Sequence, residues 1–436
     1  MSVIERIEVF TLLHTKSTLE TIQWFVFLLA STVAIPIIIG NVYELNFVEL
    51  SDLMQRTFFI VGLTSLLQGL IGHRLPIMEG PAGIWISIFT VMAVTDVQGG
   101  ATSADSLRLL ESTMIFAGIF LFLFGVFRLA QKLLFIFTPL VTGTFFILLT
   151  VQLSGTFLQG MLGLQGGGTT IQLKPAALAF LTFFVVLSLS TFGKGWLKNY
   201  SIIIGIIIGW IAYVIFVGVQ DREKFSLFAL PEIFAFGTPI FDWSAVIIAF
   251  ITSIILISNL VASIIAIDQT IGNDTKDYSD KVSKGTMIAG INHGIAGLFA
   301  VVANVSLSTS AGFISLTGQK SKAPFLYASV LLMIVSLFPP LVSFISSIPS
   351  PIANAALMAS FIQLVGLGLK NVTKEPLDQR KMLIVGIAYL IGMGTLFLPA
   401  EVFSGLPSVV QNVLGNGLLV GTGLVILLEQ LWKEKK

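Results

Sequence analysis

The chain has 436 residues, 11% of them charged and 55% hydrophobic, with a formal net charge of +1 and no cysteine. A soluble protein carries roughly a quarter of its residues as Asp, Glu, Lys or Arg, so this chain cannot cover itself with a polar surface. Its scattered Lys and Arg exclude a nucleic-acid face, and the lack of cysteine excludes disulfides, thiol catalysis and Cys-type metal sites together.

Apolar runs recur from Thr21 to the C-terminus, and about twenty such residues cross a bilayer. Spans fall near 21–40, 57–72, 80–96, 112–131, 133–154, 174–192 and 199–218 in the first half. In the second half they fall near 243–267, 285–303, 310–318, 324–347, 351–369, 382–400 and 410–431, which makes about fourteen. The first span follows a mixed-charge leader and runs on without a small-residue cleavage motif, so no signal peptide is expected. With both termini inside, 19 of the 24 Lys and Arg residues lie on the cytoplasmic side, leaving Arg56, Arg108, Lys174, Arg222 and Lys224 outside. That is the excess expected of cytoplasmic loops, and it predicts a multi-pass protein of a bacterial plasma membrane with both ends cytoplasmic.

The third and tenth spans are interrupted: Pro76, Gly80, Pro81 and Gly83 crowd one, and Gly312 and Gly318 flank the other. The run Ser306, Leu307, Ser308, Thr309, Ser310 alternates polar residues at period two, predicting a short extended strand that feeds a half-helix. Extended backbone survives at membrane depth only when buried in protein or lining a cavity. Both broken elements hold third place in their half, and Pro139–Gly143 and Pro351–Ala355 each open a fifth span. The expected fold is an all-α polytopic membrane protein, a seven-plus-seven inverted repeat with short strands at the two breaks. Its halves are 1–218 and 219–436, and its site lies where the broken helices meet.

Ionisable groups inside the spans are scarce and therefore informative. Glu79 sits at the break of span three, where it accepts a substrate N–H, carries the coupling proton, or caps the half-helix that starts near Pro81. In span eight, Asn259 and Ser263 are four apart on one face, facing either another helix or the substrate. Thr309 and Ser310 stand at the break of span ten, a set of donors and acceptors suited to a small planar heterocycle. The histidines form no metal cluster: His14 is in the leader, His73 is placed in a cytoplasmic loop beside Arg74, and His293 in span nine reads as packing. Gln165–Gly168 reads as a flexible external loop. No cofactor, metal or enzyme chemistry is expected.

Several motifs together resemble the nucleobase:cation symporter family of bacterial uracil, xanthine and uric acid permeases. They are Gln23 with Thr32, Val33 and Pro36; Leu75–Pro76 followed by Glu79–Gly80; Pro139 with Val141–Gly143; and Gly312 followed after four residues by Thr317–Gly318. The resemblance implies a core domain of spans one to four and eight to eleven, a gate domain of spans five to seven and twelve to fourteen, and a homodimer. It further implies uptake of a nucleobase, with a purine such as xanthine or uric acid expected, by symport with a proton or other cation. The implied binding set is Glu79, Gly80, Ala82, Asn259, Ser263, Thr309, Ser310 and Gly312. The chain also departs from the pattern. Thr309 and Ser310 replace the usual Gln or Glu and Asn, Asn259 replaces a span-eight Glu, and Trp24 replaces a His. Glu79 is then the carboxylate left near the expected site, so that proton coupling falls to it unless another cation, or none, is used. The alternative is an anion transporter of the related sulfate-permease architecture.

Overall fold

The computed structural model describes residues 3–432 apart from 44, 82–84, 86–87, 90–101, 133, 137, 165–169, 195, 200, 219–225, 274–277, 404–405, 407–409, 411–413 and 416. Ala82, most of the expected third span and the Gln165–Gly168 segment lie largely or wholly outside the described residues.

In the first half α1 runs Val3–Val42 and α2 Phe47–Leu70, followed by β1 at Glu79–Pro81. Then come α3 (Ser103–Val126), α4 (Pro139–Met161), α5 (Leu173–Phe192) and α6 (Ser201–Phe216). The second half opens with α7 (Trp243–Ile271) and α8 (Ser279–Leu298), then β2 (Asn304–Ser306) and α9 (Thr309–Thr317). It closes with α10 (Lys322–Ser336), α11 (Pro339–Ser346), α12 (Ser350–Val372), α13 (Gln379–Thr395) and α14 (Gly417–Leu431).

Caps, rather than the limits of the apolar runs, set the helix ends. Asn46 and Glu49 form a reciprocal capping box on α2, and Thr102 and Asp105 form one on α3. The second box starts α3 nine residues ahead of the apolar stretch expected at 112–131. Thr138 caps α4, with Pro139 in the first turn where its missing N–H costs nothing. Gly318 ends α9 at φ 71, a left-handed turn that favours glycine.

Among the described residues, five helices are long and apolar enough to cross a bilayer: Ser17–Ile37, Ala104–Val126, Pro139–Met161, Leu173–Phe192 and Ala245–Ile271. The single span expected at 324–347 is instead broken, with α10 and α11 meeting at 106°. Pro339 and Pro340 explain the break, because they offer no backbone N–H and push the preceding Phe338 to ψ 87.

Packing follows small residues. A Cβ on Gly118 of α3 would sit 2.6 Å from the Gly290 carbonyl of α8, and one on Gly143 of α4 would sit 2.7 Å from the Gly368 carbonyl of α12. Such close approach is the usual source of helix association in lipid. Helix α3 packs on α7 and α8, α10 on α1 and α2, α4 on α12, α13 and α14, and α12 on α5 and α6.

The strands β1 and β2 pair antiparallel, with Glu79 opposite Ser306, Gly80 opposite Val305 and Pro81 opposite Asn304. The extended segment therefore occupies 304–306 and not the expected 306–310. Leu307 N–H still reaches the Met78 carbonyl at 2.8 Å, but Ser310 and Ala311 already bond back to Leu307 and Ser308. Thr309 and Ser310 thus form the first turn of α9, and the period-two hydroxyls straddle a strand-to-helix transition.

Candidate functional site

The two-stranded ribbon is buried on all six residues, and its polar surroundings are supplied by α2, α7, α8 and α9. Helix α7 grips β2 from one side. The Asn259 Nδ2 donates to the Ser306 carbonyl at 3.0 Å and the Ser263 Oγ donates to the same oxygen at 2.7 Å. The four-residue spacing therefore does bring both side chains to one acceptor, which is backbone of this chain. Helix α9 is tied to the segment that leads into β1, because the Ser310 Oγ accepts the Met78 N–H at 3.0 Å.

Glu79 has no solvent exposure. Its N–H donates to the Ser65 Oγ on α2 at 3.0 Å, and its Oε1 accepts from the Ser306 Oγ across the ribbon. The Nε2 of His73 lies 3.5 Å from the same Oε1. Sequence reasoning placed His73 in a loop beside Arg74, and it does lie in the loop between α2 and β1, but the two side chains part ways. Arg74 is exposed but His73 is buried, turned back into the fold. Its Nδ1 accepts the Leu75 N–H at 3.1 Å, so the neutral ring carries its proton on Nε2, aimed at Glu79. Gln68 fixes the turn, its Oε1 accepting the His73 N–H and its Nε2 donating to the Gly285 carbonyl of α8 at 2.9 Å. No signal in the sequence marks His73: it is a left-handed Arg74, φ 61, that reverses the chain within six residues of Glu79.

Of the remaining expected residues, Gly80 lies within the ribbon, where a Cβ would meet Leu307 at 2.6 Å, and Gly312 falls inside α9. The Thr309 Oγ1 is buried with no partner among the described residues. It stands in the first turn of α9, where the helix dipole favours acceptor groups of a ligand. His293 packs as expected, its Nδ1 at 2.8 Å from the Ala289 carbonyl and its Nε2 accepting from the Trp85 indole at 3.3 Å. Trp24, fully buried, packs at a tilt against Phe313 of α9 with ring centres 4.4 Å apart. Among the described residues no group of three His, Cys, Asp or Glu side chains has the arrangement of a metal site.

Two buried asparagines escaped sequence reasoning. The Asn304 Nδ2 of β2 donates to the Thr64 Oγ1 at 3.0 Å, and the Asn292 Nδ2 of α8 donates to the Thr64 carbonyl at 3.5 Å. Among the described residues both Oδ1 atoms are left without a partner, as is the Glu79 Oε2.

Comparison with known proteins places these residues in context. Residues 15–401 match the permease family. YwdJ of Bacillus subtilis, assigned by name to the purine permeases, is 31% identical over 97% of both chains. The Bacillus subtilis xanthine permease is 28% identical over 93% of this chain and 91% of its own. The uric acid transporter UacT of Escherichia coli is 25% identical over 93% and 84%. Among solved structures, the transmembrane domain of the cyanobacterium bicarbonate transporter BicA superposes with a TM-score of 0.63 at 16% identity, covering 93% of this chain and 97% of that one. The murine anion transporter Solute Carrier 26 family member A9, inward-facing, gives 0.60 at 13% identity, covering 96% and 68%.

Proposed function

The chain belongs to the permease family that includes the xanthine and uric acid permeases it matches, and from that premise we propose that it takes up a nucleobase, a purine such as xanthine or uric acid. It is a multi-pass membrane permease and not an enzyme. The observation that carries the purine reading is end-to-end similarity, 31% identity over 97% of both chains, to a protein named for purine transport. The bicarbonate and anion carriers share the fold at 16% and 13% identity, which does not extend to what is carried.

The base binds where the half-helices meet the ribbon. Thr309 supplies an uncommitted hydroxyl, Asn259 an amide oxygen beyond the one bond its nitrogen makes, and Gly312 allows backbone to approach a planar ring; Gly80 and Ala82 belong to the same proposed set. Ser263 and Ser310 hold the ribbon in place. Glu79 carries a proton inward with the substrate, which makes the cycle a proton symport by alternating access.

The fold is proposed as fourteen spans in two inverted repeats, 1–218 and 219–436, and the packing supports this. Three contacts between the halves have counterparts: α3 on α8 answers α10 on α2, α7 on α3 answers α1 on α10, and α5 on α12 answers α13 on α4. The core of spans one to four and eight to eleven moves against a gate of spans five to seven and twelve to fourteen. The protein works as a homodimer in a bacterial plasma membrane with both termini cytoplasmic. A competition assay in cells lacking their own permeases tests the reading. Labelled xanthine uptake should be saturable and displaced by uric acid or guanine; uptake no greater than in cells without the protein would overturn it.

A further inference from the structure

In an antiparallel pair, directly opposed residues point to the same face and alternate residues share it. Glu79, Pro81, Asn304 and Ser306 therefore project to one face of the ribbon, with Gly80 and Val305 on the other. The bond between Ser306 and Glu79 lies on that face, and so does the contact of Asn304 with Thr64 of α2.

This face is rich in acceptors and poor in donors. Glu79 Oε1 already faces the Ser306 hydroxyl and His73, whereas Glu79 Oε2, Asn304 Oδ1 and Asn292 Oδ1 are buried without a donor among the described residues. Asn304 cannot turn its amide to relieve this. The Thr64 hydroxyl donates to the Ile60 carbonyl at 2.7 Å, so it can only accept from Asn304, which fixes Nδ2 toward Thr64 and leaves Oδ1 unsatisfied. Buried acceptors left unmade are costly. One proton on Glu79 Oε2 supplies the missing donor, and Asn304 is the diagonal cross-strand neighbour of Glu79, about 7–8 Å between backbones and within reach of a long side chain.

We propose that Asn304 is the acceptor that stabilises the proton-loaded form of Glu79, held in that orientation by Thr64. The inference rests on the reading of Glu79 as the proton carrier. Loading adds one proton to Oε2, which then donates to Asn304 Oδ1; unloading returns it to water, and no other bond changes. Nearby titratable groups among the described residues are His73, at 3.5 Å from the reversing loop, and His293 on α8, which is turned to Ala289 and Trp85. The groups facing the ribbon from α2 (Ser65, Thr64), α7 (Asn259, Ser263) and α9 (Ser310) are neutral, as are the buried polar side chains of α1, Gln23 and Thr32.

The test is the pH profile of xanthine counterflow in proteoliposomes held at equal pH on both sides. Removing the acceptor destabilises the protonated carboxyl, so Asn304→Ala moves the half-maximal pH toward acid by about one unit, the scale of one buried hydrogen bond. Thr64→Val, close in shape, frees the amide and moves it the same way by less; it also reads out the proposal if Asn304→Ala fails to fold. The control is Glu79→Gln. If this variant has lost accumulation against a gradient while the profiles of both Asn304→Ala and Thr64→Val coincide with wild type, the role of Asn304 is overturned. If Glu79→Gln still accumulates xanthine in a protonophore-sensitive way, the carrier reading itself falls, and the role of Asn304 falls with it.

Discussion

Ser306 is the residue at which α7 and both strands meet. Its carbonyl takes hydrogen bonds from Asn259 and Ser263, and its hydroxyl is given to Glu79. Two donors on one buried carbonyl make each partly redundant. Asn259→Ala or Ser263→Ala alone should cost about 1 kcal/mol, whereas the double variant leaves the carbonyl unpaired at about 1–3 kcal/mol more. Melting of the detergent-purified proteins would show this as a non-additive cycle, and strict additivity would mean that the two side chains act independently. Asn259→Ala should also weaken xanthine uptake more than Ser263→Ala, because the amide keeps both a donor and an acceptor for the base whereas the hydroxyl has given its only donor to Ser306. Glu79, Thr309 and Ser310 were legible because polar groups at a break in an apolar span stand out in any reading. His73, Thr64, Asn292 and Asn304 were not: their roles arise from the reversal at Arg74 and from the strand register, which sequence periodicity does not encode.

At the scale of elements, the five helices long and apolar enough to cross a bilayer were legible as apolar runs, but helix ends were not, since Asn46 and Thr102 extend helices into polar sequence by capping. The α10–α11 break was signalled by Pro339 and Pro340, yet an unbroken apolar composition across 324–347 masked it. Glycines set the helix spacing. Gly118→Leu would drive a side chain into the Gly290 and Gly294 backbone of α8, which a Cβ already meets at 2.6 and 2.7 Å. Overpacking of this kind costs about 1–3 kcal/mol or more. Gly155→Ala, with nothing within 4 Å of the new Cβ, should be neutral. Thermal melting separates the two, and equal stability of Gly118→Leu and wild type would remove α3–α8 contact as a determinant of the fold.

For the whole molecule, the distribution of 24 Lys and Arg residues predicts which loops face the cytoplasm. A chain with no cysteine lends itself to a direct check. Single cysteines at Lys198 and Lys374 should be shielded from an impermeant thiol reagent in intact cells, whereas one at Lys174 should be labelled; the reverse pattern would invert the topology. The most direct test of the central claim uses purified protein in proteoliposomes under an inward proton gradient. Purine symport predicts saturable accumulation of labelled xanthine that is displaced by uric acid, abolished by a protonophore, and unaffected by sulfate or bicarbonate. Gradient-driven accumulation of labelled sulfate or bicarbonate, with xanthine neither accumulated nor competing, would contradict it.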